Sequence, residues 1–448
     1  MVARLCVFDG RIRAFYTFSA GWSAARSFAN YEATLIRMRV LHLSSLYPPR
    51  SFGGAERVVS VLAEAQARAG HEVGAAFLVP SPEPAGALNG VVTLPLPGRN
   101  PLWIEESGRY PSPVRLLNKI CTVLNVRTAA QFGRVLDGFR PDVVHTHSLV
   151  ELPPMVWEEV RHRGIALVHT LHDYDLLCVR AALFRHGKVC ERRHLGCAAV
   201  SRWKARYAPA IDDVVAVSRP VLDRHLAEGV LTHLPRERLH VVGNPVVLPR
   251  DRLPIRWPRA SQADPFRFGF LGRLVAEKGI GLLIEACRRL PQEGWRLRVG
   301  GLSPQGLDAL REQARGLPVT FEGFVDAPAF LAETDVLVVP SIWSEPFGLT
   351  VIEAYGAGVP VLGAEAGAIG DLVRAAAGDG WVVPANDPDA LAARMLAAMR
   401  DELPAPPPGR VAALLDDVDP DRVGARYLDI YRSVLARRDG VARAPLAA

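Results

Sequence analysis

The sequence has few cysteines and no long apolar run. Six cysteines in 448 residues do not form the disulfide framework of a small secreted protein. No apolar run reaches the roughly 18 residues that span a bilayer, so we expect a soluble or peripheral protein. No G-x-G-x-x-G follows the first strand-like run, which argues against a dinucleotide site. Gly272–Lys278 has Glu277 where a phosphate-binding P-loop needs glycine, so we reject that loop as well.

The sequence has fewer acidic than basic residues, with 47 aspartates and glutamates against 53 lysines and arginines, so its net charge is +6. No nucleic-acid-binding module accompanies the arginines, so we expect no nucleic-acid partner. A solvated, arginine-rich surface is the simpler explanation, and docking to a membrane surface is the alternative. Cys178, Cys190 and Cys197 lie near one another with two histidines, in a spacing that matches no familiar zinc pattern. A zinc site or a redox bridge stays open there, but ordinary loop cysteines are simpler and we predict no metal site.

Short apolar runs alternate with helical segments, which predicts an α/β fold with parallel sheets. The longest helix predicted in the first half covers residues 114–139. A region rich in proline and arginine then separates two such alternating stretches. The predicted organisation is an extension outside the fold (1–37, with Met38 as a candidate natural start), a first domain (38–245), a linker (246–265), a second domain (266–419), a terminal helix (420–438) and a tail (439–448).

Two glutamates lie eight residues apart, at Glu345 and Glu353, on either side of a Pro-Phe-Gly turn. A strand-like run precedes them, so the first acid falls in a loop and the second about one turn inside a helix. Unpaired N–H groups at this helix start suit a phosphate, and the acids suit sugar hydroxyls. This pattern predicts a sugar-nucleotide site. The residues predicted to bind the donor in this segment are Glu345, Phe347, Gly348, Leu349, Thr350 and Glu353.

A second element follows the strand-like run that ends at Leu271. Gly272 permits a tight turn, and the cations Arg273 and Lys278 follow it. Fixed cations stabilise the negative charge that develops on a departing diphosphate. A purely surface role is the alternative, but positive charge at a helix start opposes the helix dipole. We therefore predict that this element binds phosphate.

These elements resemble those of the retaining GT-B glycosyltransferases of family 4, the glycosyl transferases group 1. The paired glycines Gly53 and Gly54 after the first strand and His172 at the end of another strand extend the resemblance. It implies two Rossmann-like domains facing across a cleft, with a C-terminal helix that returns to the first domain. It also implies sugar transfer from a nucleoside diphosphate donor to an acceptor hydroxyl, with retention and without an essential metal or other cofactor.

The resemblance implies a role for each matching residue. Arg273 and Lys278 would hold the diphosphate, Glu345 the sugar and Glu353 the ribose, while the first domain takes the acceptor. The residues predicted to be catalytic are His172, Arg273, Lys278 and Glu345. Gly53 and Gly54 would bind the donor from the first domain. Weaker matches at the cleft are Ser218 and Asn244, for which a helix cap and a turn are the alternatives. His147 is a further possible cleft residue, although a structural histidine is the favoured interpretation.

The resemblance leaves the donor base, the sugar and the acceptor open. We expect a nucleotide sugar, a glycan or lipid-linked acceptor, and a role in cell-surface polysaccharide or lipid-linked glycan synthesis. A cytoplasmic location is expected, with the inner face of the cell membrane as an option. The insert 178–207 departs most from the family and lies where acceptor recognition is expected. The alternatives are a GT-B sugar-nucleotide epimerase, a phosphorylase with pyridoxal phosphate, and a non-catalytic sugar-nucleotide-binding protein.

Overall fold

The chain divides into two compact units, Met1–Arg37 and Met38–Ala448. The computed structural model describes residues 3–8, 11–16, 37–50, 54–98, 100, 102–103, 110–249, 252–259 and 264–443. The first unit contains two antiparallel strands, β1 (Ala3–Phe8) and β2 (Arg11–Tyr16), to which the sequence analysis assigns no element. The fold and the site described below belong to the second unit.

The first sheet of the second unit has eight strands. The strands of this part of the chain are β3 (Arg39–Ser44), β4 (Glu72–Val79), β5 (Gly86–Leu88), β6 (Val91–Pro97), β7 (Val143–His147), β8 (Ala166–Leu171), a separate hairpin of β9 (Phe184–Arg185) and β10 (Lys188–Val189), then β11 (Asp213–Ala216) and β12 (Leu239–Val241). The sheet order is β12-β11-β8-β7-β3-β4-β6-β5, and the pairs are parallel except β5 with β6. Its central strands are buried on both faces, as their continuous apolar runs predict.

Helices cover this sheet, and one of them differs from its prediction. The helices are α1 (Gly54–Arg68), α2 (Ser112–Val123), α3 (Val126–Phe139), α4 (Val156–His162), α5 (Leu195–Ala205) and α6 (Arg219–Ala227). The single helix predicted over 114–139 is wrong, because the chain breaks at Leu124 and Asn125. The Asn125 side chain accepts a hydrogen bond from the Thr128 N–H at 3.1 Å and so starts a new helix.

The second sheet has six strands, namely β13 (Phe266–Leu271), β14 (Trp295–Gly300), β15 (Val319–Gly323), β16 (Val336–Val339), β17 (Val361–Ala364) and β18 (Val382–Val383). All of them are parallel, and their order in the sheet is β15-β14-β13-β16-β17-β18. The helices are α7 (Ile280–Cys287), α8 (Asp308–Gln313), α9 (Ala327–Ala332), α10 (Leu349–Gly356), α11 (Ala368–Ala377), α12 (Pro388–Met399) and α13 (Pro408–Asp417). This is the doubly wound Rossmann order, in which ligands bind at the carboxyl ends of the strands.

The last helix, α14 (Pro420–Arg443), returns to the first domain as expected. Arg68 of α1 donates to Asp421 at 2.8 Å. Apolar side chains of α14 join one buried cluster with the first sheet, and this cluster includes Met38, Val40, Val143, Val423, Tyr427, Tyr431 and Val434. The helix ends at Arg443, so the tail predicted from residue 439 begins too early. The predicted domain limits otherwise remain predictions.

The predicted linker, 246–265, contains no helix or strand in its described part. Its Trp257 is buried against Trp381, with ring centroids 4.9 Å apart, and donates to the Leu403 carbonyl at 3.0 Å. The connecting segment is therefore packed onto the second domain. Among the helices of the described ranges, none is both long and apolar enough to cross a membrane.

Candidate functional site

Glu345 lies in the loop between β16 and α10, and three side chains bind its carboxylate. Lys278 Nζ lies 2.7 Å from Oε1 and 2.8 Å from Oε2. Trp343 Nε1 donates to Oε2 at 2.9 Å, and the Ser341 hydroxyl donates to the same oxygen at 3.3 Å. Within the described chain, Oε1 thus accepts from Lys278 alone. A carboxylate oxygen has two lone pairs, so Oε1 keeps an acceptor position for a ligand hydroxyl.

The position of Lys278 is set by the turn that follows it. Gly279 has a φ of 76°, and a Cβ built there would lie 1.9 Å from the Pro340 carbonyl oxygen. A residue with a side chain would therefore clash with backbone as well as adopt a strained conformation. The Ile342 N–H also donates to the Glu277 carbonyl at 3.0 Å. These contacts hold the Lys278 turn against the loop that carries Glu345.

Arg273 stands apart from this arrangement. It follows β13, the strand at the centre of the Rossmann order, and its side chain is exposed. Unlike the Lys278 ammonium, its guanidinium makes no hydrogen bond or ion pair with any residue that the structure describes. The structure thus joins one of the two predicted cations to a predicted acid and leaves the guanidinium of the other available.

Two helix N-termini meet beside the Glu345 loop. Gly348, with a φ of 110°, precedes α10, and Leu349 is the first residue of that helix. Gly54 is the first residue of α1, and a Cβ built on it would lie 2.5 Å from Leu349 Cδ1. Both helices therefore direct unpaired N–H groups and positive dipole ends toward the same region, which favours an anion there. Gly53, the other predicted glycine, lies outside the described residues.

Glu353 is one turn inside α10 and lies close to the first domain. Its carboxylate is 3.6 Å from the Arg57 guanidinium of α1. Burial raises the pKa of Glu353, and the charge of Arg57 has a smaller, opposite effect. Thr350 lies between Leu349 and Glu353 on the same short helix. The second predicted acid is therefore also a group at the boundary between the domains.

The first domain holds the Glu345 loop at several points. The Tyr174 hydroxyl donates to Ser344 Oγ at 2.9 Å, and the Ser218 hydroxyl donates to the Pro346 carbonyl at 2.6 Å. Phe347 is buried against Gly243, where an added Cβ would lie 3.1 Å from its ring. Ser218 is the N-cap residue of α6 by position, but its side chain bonds to the Glu345 loop and makes no capping hydrogen bond.

Three of these contact residues were missed by the sequence analysis, namely Ser341, Trp343 and Tyr174. Ser341 and Trp343 lie only four and two residues before Glu345, so their place in the same loop was a usable signal. Tyr174 lies two residues after His172, but its partner Ser344 is 170 residues away in the chain. Only the folded arrangement of the two domains shows that contact.

His172 and His147 are buried neighbours at the carboxyl ends of β8 and β7. His172 Nε2 lies 2.9 Å from His147 Nδ1, and His172 Nδ1 has no hydrogen-bond partner among the described residues. Burial lowers the pKa of His172 to about 3, and the nearby Asn244 side chain has a smaller, opposite effect. Burial also lowers the pKa of His147 well below its usual value. Both imidazoles are therefore neutral at pH 7.

A buried ion pair lies next to these histidines and was not predicted. Lys204 of α5 lies 2.8 Å from Asp175, and each side chain is 2% exposed. Lys204 also donates to the Asp175 carbonyl at 3.0 Å. Burial, reinforced by the charge of Asp175, raises the pKa of Asp173 to about 8. The arginine-rich and cysteine-rich insert is thus anchored to the strand ends by an internal charge pair.

The cysteines of the insert are free thiols. Cys178 and Cys197 are buried, and Cys190 Sγ lies 3.9 Å from His194 Nε2. Within the described ranges, the residues whose ligand atoms lie close enough together for one metal ion are instead His42, His145 and His147. The three thiols of the insert do not belong to this group.

Comparisons with known proteins agree with this geometry. The model for Glycosyl transferases group 1 matches residues 265–401, and that for Glycosyltransferase Family 4 matches residues 52–250. An uncharacterized 42.6 kDa protein in the cps region of Klebsiella pneumoniae is 26% identical over 340 residues, which are 75% of this chain and 88% of that protein.

Two solved structures illustrate the likeness in fold. The lipopolysaccharide outer core galactosyltransferase WaaB, in its apo form, superposes with a TM-score of 0.61 at 16% identity, covering 88% of this chain and 99% of that one. HepE from Anabaena, in complex with UDP-glucose, gives a TM-score of 0.55 at 18% identity, covering 91% and 99%. The predicted GT-B fold is confirmed.

Proposed function

Because the chain belongs to the glycosyltransferases of group 1 and family 4, we propose that it moves a sugar from a nucleoside diphosphate to a hydroxyl of a glycan or lipid-linked acceptor, with retention. Membership makes the protein a glycosyltransferase. The observation that carries the proposal is the contact of Lys278 with both oxygens of Glu345 beside two meeting helix N-termini. Cation, acceptor oxygens and helix donors are the groups that a sugar nucleotide requires.

The diphosphate would lie where α1 and α10 begin. Lys278 has three N–H donors, and its contacts with Glu345 leave at least one for a phosphate oxygen. The guanidinium of Arg273, which has no side-chain partner among the described residues, supplies a second cation. These groups stabilise the diphosphate more strongly as its negative charge grows during bond cleavage, which is the condition for a lower barrier.

The sugar and the ribose would each meet one of the two acids. Glu345 Oε1 accepts a hydroxyl of the transferred sugar, because its other oxygen is occupied by Trp343 and Ser341. Glu353, one turn inside α10, accepts the ribose hydroxyls. The neutral His172 offers Nδ1 as an acceptor from the first-domain side.

Transfer needs no protein nucleophile in this arrangement. The bond between the anomeric carbon and the leaving phosphate oxygen breaks, and the acceptor oxygen forms its bond to that carbon on the same face. The leaving phosphate oxygen takes the acceptor proton, so charge and atoms balance without a metal or other cofactor. Contacts such as Tyr174 with Ser344 bring the domains together and limit attack by water.

The acceptor would approach from the first domain, near the insert 178–207. The Klebsiella relative is encoded in a cps region and WaaB acts in the lipopolysaccharide outer core, which supports a role in cell-surface glycan synthesis. We propose a cytoplasmic enzyme that works at the inner face of the membrane. HepE binds UDP-glucose, so UDP-sugars are the first donors to test.

A thermal-shift screen with UDP-, GDP-, ADP- and dTDP-sugars tests the donor, since a ligand of the native state raises the melting temperature. The matching sugar nucleotide should also be hydrolysed slowly without acceptor, and Glu345→Ala should abolish this. The exposed Glu312, replaced by alanine, serves as the control. Epimerised donor without transfer, or no shift with any donor, would contradict the proposal.

A further inference from the structure

A continuous line of hydrogen bonds runs through the buried interior of the first domain, starting at His172. His172 Nε2 lies 2.9 Å from His147 Nδ1, and His147 Nε2 lies 2.9 Å from His42 Nδ1. His42 Nε2 in turn lies 2.9 Å from Gln66 Oε1 of α1. We call His172, His147, His42 and Gln66 the histidine relay. Every member is buried, so water cannot substitute for a missing partner.

Gln66 ties the histidine relay to the returning helix α14. Its Nε2 donates to the Tyr431 hydroxyl at 3.2 Å, and that hydroxyl lies 2.6 Å from His145 Nδ1. Because the hydroxyl accepts from Gln66, its own proton goes to His145. The line continues from His145 Nε2 to the Thr170 hydroxyl at 2.7 Å, which lies 3.2 Å from the Tyr427 hydroxyl.

The orientation of Gln66 fixes the direction of every bond in the relay. Its Oε1 can only accept, so His42 must carry its proton on Nε2. Burial lowers the pKa of His42 to about 4, so the ring is neutral and its Nδ1 is an acceptor. His147 must then carry its proton on Nε2 in order to donate to His42 Nδ1, which leaves His147 Nδ1 as an acceptor. His172 in turn must donate from Nε2 to His147 Nδ1, and both rings are neutral because burial also lowers their pKa values. His172 is therefore the Nε2–H tautomer, with a lone pair on Nδ1.

We propose that Gln66 and Tyr431 are positioning residues for transfer, which act through the histidine relay to hold His172 as a hydrogen-bond acceptor toward the substrate. The Nδ1 atom of His172 is buried and has no partner in the part of the chain that the structure describes. Asn244 adjoins the ring but forms no bond of acceptable geometry with that atom. The catalytic consequence rests on the proposed function, whereas the tautomer does not.

A metal ion is the competing explanation for this cluster. The ligand atoms of His42, His145 and His147 lie within 4.8 Å of one another. However, all of their ring nitrogens already take part in the hydrogen bonds described above. Because His42 Nδ1 and His147 Nε2 share one bond, a metal held by the three rings would have to break at least two of these buried bonds, so the relay fits the observed distances better.

Nitrogen-15 NMR of the full chain with labelled histidine tests the tautomers directly. The chain has 12 histidines, which single substitutions can assign. His172, His147 and His42 should each show a protonated Nε2 and a bare Nδ1 between about pH 6 and 8, where an unperturbed histidine titrates. A protonated Nδ1 on His172, donated to Asn244, would overturn the proposal. So would stoichiometric bound metal in the purified protein.

Two tyrosines of α14 provide a matched pair of variants. Tyr431→Phe removes the acceptor that orients Gln66, so the amide can turn and His172 should show both tautomers. We expect kcat to fall about tenfold with KM for the donor little changed, as for loss of other supporting bonds. Tyr427→Phe, at the far end of the line, should leave the His172 spectrum and kcat unchanged.

The outcomes separate this inference from the proposed function. If the expected tautomers are found but no sugar nucleotide binds or reacts, the relay stands and the function fails. If transfer proceeds and Tyr431→Phe changes neither the spectrum nor kcat, the positioning role is wrong while the function stands. Should Tyr431→Phe not fold, the spectrum of the unaltered protein still decides the tautomer.

Discussion

The two domains differ in the burial and hydrogen bonding of their polar side chains. In the first domain, His42, His147 and the Lys204–Asp175 pair are buried and bound to other side chains of the protein. In the second, Lys278 and Glu345 are partly exposed and keep hydrogen-bonding capacity at the cleft. Polar groups of the first kind add to stability only as long as every partner is present. Those of the second kind are ready for a ligand.

This contrast implies that substitutions of polar residues should lower stability in the first domain, and should lower ligand binding or turnover at the cleft side of the second domain. Removing one member of a buried pair leaves the other charge or donor without water or a partner, which is a cost to folding. Removing a group at the cleft leaves its neighbours solvated, so the cost appears in binding or turnover. The predictions that follow test whether this division holds.

Acid should have the largest effect, and it should act through the first domain. Burial lowers the pKa of six histidines whose side chains are buried, so the folded protein binds fewer protons than the unfolded chain between about pH 4 and 6.5. Stability should therefore be present above pH 6.5 and be lost as pH falls, by up to about 1.4 kcal/mol per unit for each histidine. Urea midpoints measured across this range give the slope. The six are His42, His145, His147, His169, His172 and His225.

Asp173 should oppose this trend and provides an internal check. Its pKa is raised to about 8, so the folded protein binds more protons there and stability falls as pH rises toward 8. Between about pH 6.5 and 8 this group acts without the histidines, and Asp173→Asn should remove the decline. A flat midpoint from pH 8 to 5 would contradict the prediction.

Lys204→Met should destabilise the protein by about 3–5 kcal/mol, because it leaves the Asp175 carboxylate buried without its cation. Urea unfolding measures the loss. Adding Asp175→Asn should restore a large part of it, since the uncompensated charge is then gone. If the single and double variants are equally unstable, the ion pair is not the reason and the contrast between the domains weakens.

Lys278→Ala should lower turnover with little change in stability. We expect the activation barrier to rise by about 2.7–4 kcal/mol, which lowers kcat roughly 100- to 1,000-fold. Glu345 keeps its bonds from Trp343 and Ser341 in this variant, so the loop remains supported. Transfer or donor hydrolysis at saturating donor measures the effect. The exposed Lys188, replaced by alanine, is the control, and near-normal turnover in Lys278→Ala would refute its assigned role.

Gly279→Ala, in the turn that follows Lys278, should have the smallest effect, and this effect should appear in stability. A Cβ there would meet the Pro340 carbonyl at 1.9 Å in a backbone conformation that suits glycine, so we expect a loss of about 1–3 kcal/mol. Gly281→Ala, two residues later in α7, would meet only the end of the Gln313 side chain at 3.4 Å. That control should be neutral or slightly stabilising. Equal melting temperatures for the two variants would contradict the turn argument.

Local patterns in the sequence were enough to predict parallel α/β domains and to identify Lys278, Glu345 and Glu353 as candidate site residues, but not the contact between Lys278 and Glu345. Glu345 and Glu353 are placed by a strand, a turn and a helix that follow one another directly, and Lys278 by the turn after β13. Such signals act over about ten residues, the range in which periodicity and turn chemistry operate. The break at Asn125 was missed although its signal is local, since the capping bond joins residues only three apart and asparagine is a favoured N-cap residue.

The buried polar groups of the first domain could not be predicted in the same way. The partners of Gln66 lie 24 and 365 residues away, and Lys204 meets a carboxylate 29 residues away. A single sequence gives no sign of which distant polar residues will satisfy one another. For His147 a structural role was favoured over a role at the cleft, but its partners His42 and His172 in the line of buried bonds were not foreseen.

The returning helix has a consequence for how the protein is made. One apolar layer of the first sheet, including Val40 and Val143, is completed only by Val423, Tyr427 and Tyr431 near the end of the chain. During synthesis this layer stays uncovered until residues 423–431 leave the ribosome, although domains commonly fold in the order of translation. The first domain therefore completes its folding only after the second domain has been synthesised, and a chain cut before residue 420 leaves that surface open to aggregation.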